Sequence, residues 1–133
     1  MINKSKKILS EISVGELLDK ISILEIKLNK IKNQNSQKEI KKEYNLLKKT
    51  KNLNIKGTVK IKELTKKLKM INLRLWGIED KIRICEKNKD FGKEFIRLAR
   101  NVYFTNDKRS VIKSDINKIS GSNIREIKQY VNY

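Results

Sequence analysis

The chain contains no histidine. Imidazole bases, Ser-His and Cys-His pairs and every zinc set with a histidine ligand are therefore excluded, which closes most hydrolase templates. A single cysteine, Cys85, excludes an intrachain disulfide. Its position on an apolar stripe marks it as a small buried hydrophobe rather than a reactive thiol. Apolar stretches are interrupted by lysine throughout, so no membrane span is expected, and nothing resembles a signal peptide. The expected setting is soluble, reducing and cytoplasmic. Acids are scarce, 15 against 33 basic residues, and Glu16, Asp19, Glu79 and Asp80 form no compact pair repeated on one helix. Divalent-metal chemistry is therefore disfavoured, and no cofactor is expected.

What is abundant is positive charge, a formal +18. Clustered Lys and Arg supply the sequence-independent part of nucleic-acid binding. Here 27 of the basic residues are lysine and six are arginine, and Lys, Ile and Asn dominate together. All three have A/T-rich codons, so base composition is a competing cause. The aromatic residues are not interleaved with the basic ones as stacking platforms require. Nucleic acid is thus the weakest of three functional readings.

The 133 residues suit one helical domain. Its organising stretch is Ile61, Leu64, Leu68, Ile71, Leu75, Ile78, Ile82 and Cys85, whose alternating three- and four-residue steps line up only on a helix. The register is that of a coiled-coil seam. Thr58 is the predicted N-cap, with the helix running to about Lys87. Gly77 within it costs about 1 kcal/mol relative to alanine, so a neighbouring helix is expected to press there. After a turn at Lys87 to Asp90, with Asp90 as cap, Phe91, Phe95, Leu98 and Val102 resume the seam, and Ile112, Ile116 and Ile119 keep its phase. Thr105-Asn106-Asp107 favours a turn, but the preserved phase predicts one helix from about Phe91 to Ser120 folded back on the first. Gly121 suits a left-handed helix end. Ser122 then caps a short final helix with Ile124 and Ile127, and Tyr130 and Tyr133 pack the tail back.

Ahead of this hairpin, residues 1–12 are a partly disordered lead-in anchored by Ile8, Leu9 and Ile12. Ser13 and Glu16 have capping-box spacing and open a helix carrying Val14, Leu17, Ile21, Leu24, Leu28 and Ile31. Ile23 and Ile26 lie off that stripe and suggest a second contact, with another subunit as one option; a homo-oligomer is expected. Ser36 and Glu39 repeat the cap spacing before a second, lysine-rich helix, and Asn52 to Gly57 reads as a loop. The fold class is all-α, a long antiparallel helical hairpin packed by N-terminal helices.

ELLDKISILEIKL at 16–28, NLRLWGIEDKIR at 72–83, FIRLARNVYFTNDKR at 95–109 and INKISGS at 116–122 together resemble an uncharacterised family of small bacterial proteins. In other members a similar segment follows tetratricopeptide repeats or sits beside glycosyltransferase and polysaccharide-biosynthesis modules. The resemblance spans most of the chain beyond Ser13 and implies a glycan-biosynthesis context, with a glycosyltransferase or another protein of that machinery as partner. It brings no catalytic residue.

Residues able to carry chemistry lie beside the seams. Asn72, Trp76, Glu79, Arg83 and Glu86 form a stripe next to the apolar one, with Glu79 and Arg83 spaced for an ion pair. Either this is a solvated flank, or it meets Glu16, Asp19, Ser22 and Glu25 of the first helix and Arg97, Arg100, Tyr103 and Arg109 of the return helix in a polar pocket. Bundle interiors are a known place for such sites. Asp80, Asn106 and Asp107 complete the candidate set. Five of the six arginines fall in the paired helices, and arginine binds phosphate or carboxylate in a bidentate manner that lysine cannot. The leading expectation is a non-enzymatic binding or adaptor domain accessory to glycan biosynthesis. A small enzyme or binder of a phosphorylated or carboxylated small molecule comes second. Arg109, a charge at a seam position near Leu68, must either meet an acid of the first helix or reach past the seam to a ligand. Nucleic-acid affinity, if measured by anisotropy with a random duplex, should be non-specific and fall roughly a hundredfold or more between 50 and 200 mM salt. Sequence-selective binding that survives physiological salt would reverse this ranking.

Overall fold

A computed structural model describes residues 6–133 and contains four helices: α1 (Val14–Lys30), α2 (Gln34–Asn54), α3 (Val59–Lys87) and α4 (Lys93–Ser120). The expected fraying of the first residues falls on 1–5, outside the described residues. Ile8 and Leu9 do not anchor the lead-in, because both are exposed.

The seam residues pack in the order that an antiparallel hairpin requires. Ile78, Ile82 and Cys85 of α3 meet Phe95, Leu98 and Val102 of α4 near the turn. Farther from it, Ile61, Leu64 and Leu68 join Ile112 and Ile116, and Leu18 of α1 closes that second cluster. Because α1 touches both arms, it covers one side of the hairpin, whereas α2 packs on α1 and buries no residue of its own. Ile26, expected at a second contact, is buried within the chain, so it needs no other subunit to cover it.

Helix ends follow local chemistry. Ser13 caps α1 by accepting from the Glu16 N–H at 3.1 Å. The Glu16 carboxylate, instead of closing the box, lies 2.7 Å from the Lys113 ammonium. The remaining orphan donors of the first turn are satisfied from α4 and its end: Val14 N–H donates to Ser122 Oγ and Gly15 N–H to Asn117 Oδ1, at 3.1 and 2.7 Å. Thr58 caps α3, and Gly121 ends α4 with φ 67°.

Four boundaries differ from expectation. The cap of α2 is Asn33 rather than Ser36, since the Asn33 side-chain oxygen accepts from the Ser36 N–H. α2 continues through Asn54, whose side chain bonds back to the Thr50 carbonyl at 2.8 Å. α4 starts at Lys93, because the Asp90 carboxylate accepts from the Gly92 N–H and shapes the turn instead of capping the helix. Residues 125–133 are not helical. Ser122 Oγ is already held by the Val14 N–H and donates to the Ile124 carbonyl, and Ile127 is exposed, so neither a cap nor a buried face supports a final helix. Tyr133 nevertheless returns to α4, where its ring lies 5.5 Å from Tyr103 and 5.3 Å from Phe104, although it stays exposed, as does Tyr130.

Two glycines have opposite surroundings. A Cβ at Gly15 would stand 2.7 Å from the Lys113 carbonyl oxygen, so this glycine permits the close crossing of α1 on α4. A Cβ at Gly77 would meet nothing within 4 Å. The expected pressing helix is therefore not supplied by the described residues. In urea unfolding, Gly15→Ala should cost about 1–3 kcal/mol, whereas Gly77→Ala should gain about 0.5–1 kcal/mol. A harmless Gly15→Ala would contradict the described crossing.

Candidate functional site

Asp19 sits in the second turn of α1 and is 1% exposed. An ionised carboxylate at such a position requires partners on every side. Arg109 of α4 supplies two bonds, Nε at 3.1 Å to Oδ1 and Nη2 to Oδ2. Asn72 of α3 donates to Oδ1 at 2.8 Å and to Ser22 Oγ at 2.7 Å, and the Ser22 hydroxyl in turn donates to the Asp19 carbonyl. Lys113, one turn beyond Arg109, lies 3.5 Å from Asp19 and 2.7 Å from Glu16, with Glu126 of the tail at 3.6 Å. One acid thereby ties three helices together, and no buried side-chain polar atom among the described residues lacks a partner.

Electrostatics follow from this placement. Burial pushes the Asp19 carboxyl upward, but the hydrogen bonds from Arg109 and Asn72 and the charges of Arg109 and Lys113 outweigh it and hold the group below the ordinary carboxylate value. Burial likewise disfavours the Lys113 ammonium, while its bond to Glu16 and the charges of Asp19 and Glu16 more than restore it and raise its pKa.

Above this network a cleft of about 550 Å³ opens between α1, α3 and α4. Seven candidate residues line it: Asn72, Trp76, Glu79, Asp80, Arg83, Asn106 and Arg109, with Ile23, Ile26 and Leu75 as apolar wall. Trp76 is half-buried and Arg83 is paired with Glu79 on its own helix. Two acids and two arginines balance in this lining, which is unusual for so basic a chain.

The other candidates go elsewhere. Glu16 lies a turn below, on Lys113, and Glu25 pairs with Lys69 of α3 at 3.0 Å. Arg97 and Arg100 were expected in the same pocket but line a different depression with Ile96 and Phe104. Arg97 is paired there with Glu94 of the preceding turn, and Arg100 lies over the Phe104 ring at 5.5 Å. Helix geometry separates them, since Arg97 and Arg109 are twelve residues apart and so about 120° around the helix. Tyr103 and Asp107 belong to the tail contact, where the Tyr133 hydroxyl donates to the Asp107 carboxylate and its pKa is pushed up to about 12, chiefly by that bond. Sequence reasoning missed Lys113 and Asn117. The signal was present, because residues 109, 113 and 117 recur at four-residue steps on the α4 stripe that faces α1.

Among the described residues no three Cys, Asp or Glu side chains cluster as metal ligands, and no helix is long and apolar enough to cross a membrane. Fold and cleft define a small all-α bundle whose polar cleft is built on a buried ion network. The chain belongs to DUF6165, a family of unknown function whose pattern matches residues 8–133. No curated protein and no solved structure matches it.

A depressed carboxyl pKa contributes stability that is complete above the unfolded-state value and is lost as pH falls through the folded-state value. Thermal melts should therefore decline below about pH 4, and Asp19→Asn should flatten that acid limb while lowering stability at neutral pH. Arg109→Leu, which strands the buried acid, should cost about 3 kcal/mol or more. An unchanged melting temperature for Arg109→Leu would show that the pair carries no structural weight.

Proposed function

We propose that the chain is a non-enzymatic binding module whose cleft holds a hydroxyl-rich ligand such as a sugar unit, and that it serves as an accessory to surface-glycan synthesis. The observation that carries this reading is the composition of the cleft: the half-buried indole of Trp76 beside Asn106 and Asp80. An aromatic face offers an apolar platform to sugar C–H groups, and amides and carboxylates exchange hydrogen bonds with hydroxyls. Pockets of this size with a few converging polar groups are ordinary small-molecule sites.

Charge argues for a neutral ligand over a phosphorylated or carboxylated one. Both guanidiniums at the cleft already face acids, Arg109 on Asp19 and Arg83 on Glu79, so neither is a free anion clamp. Asp80 adds another negative charge. The resemblance to segments that accompany glycosyltransferase modules supports the same ligand class and suggests a protein of that machinery as partner.

Trp76 is the only tryptophan, so its fluorescence reports on the cleft alone. Titration with neutral mono- and oligosaccharides should give a saturable change, weakened about tenfold in Asn106→Ala through loss of one ligand hydrogen bond with a buried partner. A response to inorganic phosphate and nucleotide sugars but not to neutral sugars would replace this reading with the anion-binding one. No response to either set would remove the cleft as a ligand site.

A further inference from the structure

The side of the hairpin away from α1 carries a second feature. Asn72 faces α1, and Met70 and Arg74, two residues to either side, lie about 200° around α3 on the opposite face. There three depressions run together along the α3–α4 crease. The first holds Met70 and Val111, and shares Arg74 and Lys108 with the second; the second holds Gly77 and shares Phe104 with the third. Met70 and Val111 are exposed, and nothing stands within 4 Å of a Cβ built at Gly77. The result is a row of adjoining depressions that carries exposed apolar side chains and has open space at Gly77.

Along the first two depressions the rim is cationic. Lys67, Arg74, Lys81, Lys108 and Arg97 border it, against one acid, Asp107. Asp107 is moreover held by Tyr133 and Arg97 by Glu94, which leaves four cations on the rim with no ion-pair partner among the described residues. From Lys67 to Lys81 the groove is about 20 Å long, the length of a helix of about 14 residues at 1.5 Å per residue.

We propose that this groove docks an amphipathic helix of another protein, with apolar residues on one face and acidic residues on both flanks. A glycine in the middle of an exposed helix is costly unless it admits close approach of another backbone, and Gly77 has such space and no occupant among the described residues. Charge selects the occupant. A second copy placed symmetrically would set the same rim against itself, since a two-fold interface uses one patch on both sides, and like charges would face each other across it. A nucleic-acid backbone would satisfy the rim but leave the exposed Met70 and Val111 uncovered. An acid-flanked apolar helix satisfies both, in the helix-in-groove mode of recognition. Groove and cleft lie on opposite faces of the hairpin, so either can hold its occupant without the other.

The test uses a labelled synthetic 16-residue peptide, helical, with leucines at i, i+3, i+7 and i+10 and glutamates beside them, titrated with the full chain by anisotropy. Binding should saturate, fall about tenfold or more in Gly77→Leu, which fills the open space there, and fall comparably in Arg74→Glu with Lys108→Glu. A lysine-flanked version of the peptide should not bind. Far-UV circular dichroism checks that Gly77→Leu is folded, and the charge-reversed variant gives an independent reading if it is not. The proposal is overturned if the acidic peptide does not bind, or binds equally when rim and Gly77 are altered. It is also overturned if sedimentation shows a dimer that Gly77→Leu dissociates, or if a single-stranded oligonucleotide displaces the peptide from the groove.

Discussion

A carboxylate with almost no access to water is the constraint around which this bundle is arranged. Left alone at its depth, Asp19 would either take up a proton or pull the helix open. It does neither because Arg109, Asn72 and Lys113 approach it from the two other long helices. Those partners fix the height of α1 on the hairpin more narrowly than apolar packing could, since leucine and isoleucine contacts tolerate a slide that a bidentate ion pair does not. Below the acid, the same docking is secured by backbone: the first-turn N–H groups of α1 end on Ser122 and Asn117, and Gly15 lets the two helices cross closely.

The cleft is a consequence of this arrangement. Leu18 and Leu68 lie in the dry cluster on one side of the network. On the other side, Ile23, Ile26 and Leu75 face Trp76, Asn106 and the outer end of Arg109 across open space. Arg109 thus has a structural task at its inner edge and borders the cleft at its outer one. Rigidity at such a position favours binding, because a ligand meets groups that are already ordered. On the far side of the hairpin no helix among the described residues covers the crease, so the two faces of one scaffold differ in chemistry: near-balanced and polar toward α1, apolar with a cationic rim away from it.

Much of this was legible in the order of residues. Three-four spacing located both arms of the hairpin, and it carried α4 through Thr105-Asn106-Asp107, where turn propensity pointed the other way; tertiary packing of Leu98, Thr105 and Ile116 outweighs that propensity. Ser13, Thr58 and Gly121 act as their types predict. Asn33 was harder, since Ser36 offers an equally good local pattern and only the closing of α1 onto Gln37 distinguishes them. The site was half legible. Adjacent stripes on α3 and α4 nominated Asn72, Trp76, Glu79, Arg83 and Arg109 together, but helix rotation sends Arg97 and Arg100 away from Arg109, by about 120° and 180°, which a list of arginines in paired helices does not resolve. Lys113 escaped because a lysine in a lysine-rich chain carries no compositional signal, whatever its burial.

Asp19 couples α3 to α4 through the partners it shares between them, and the strength of that coupling is measurable. A double-mutant cycle on Asn72→Ala and Arg109→Leu, followed by urea unfolding, reads it directly. Both residues bond to the same carboxylate without a hydrogen bond to each other. Strongly non-additive losses are therefore expected, with an interaction of about 1–3 kcal/mol. Additivity within about 0.5 kcal/mol would mean that the two contacts act independently, and would contradict the organising role of the buried acid.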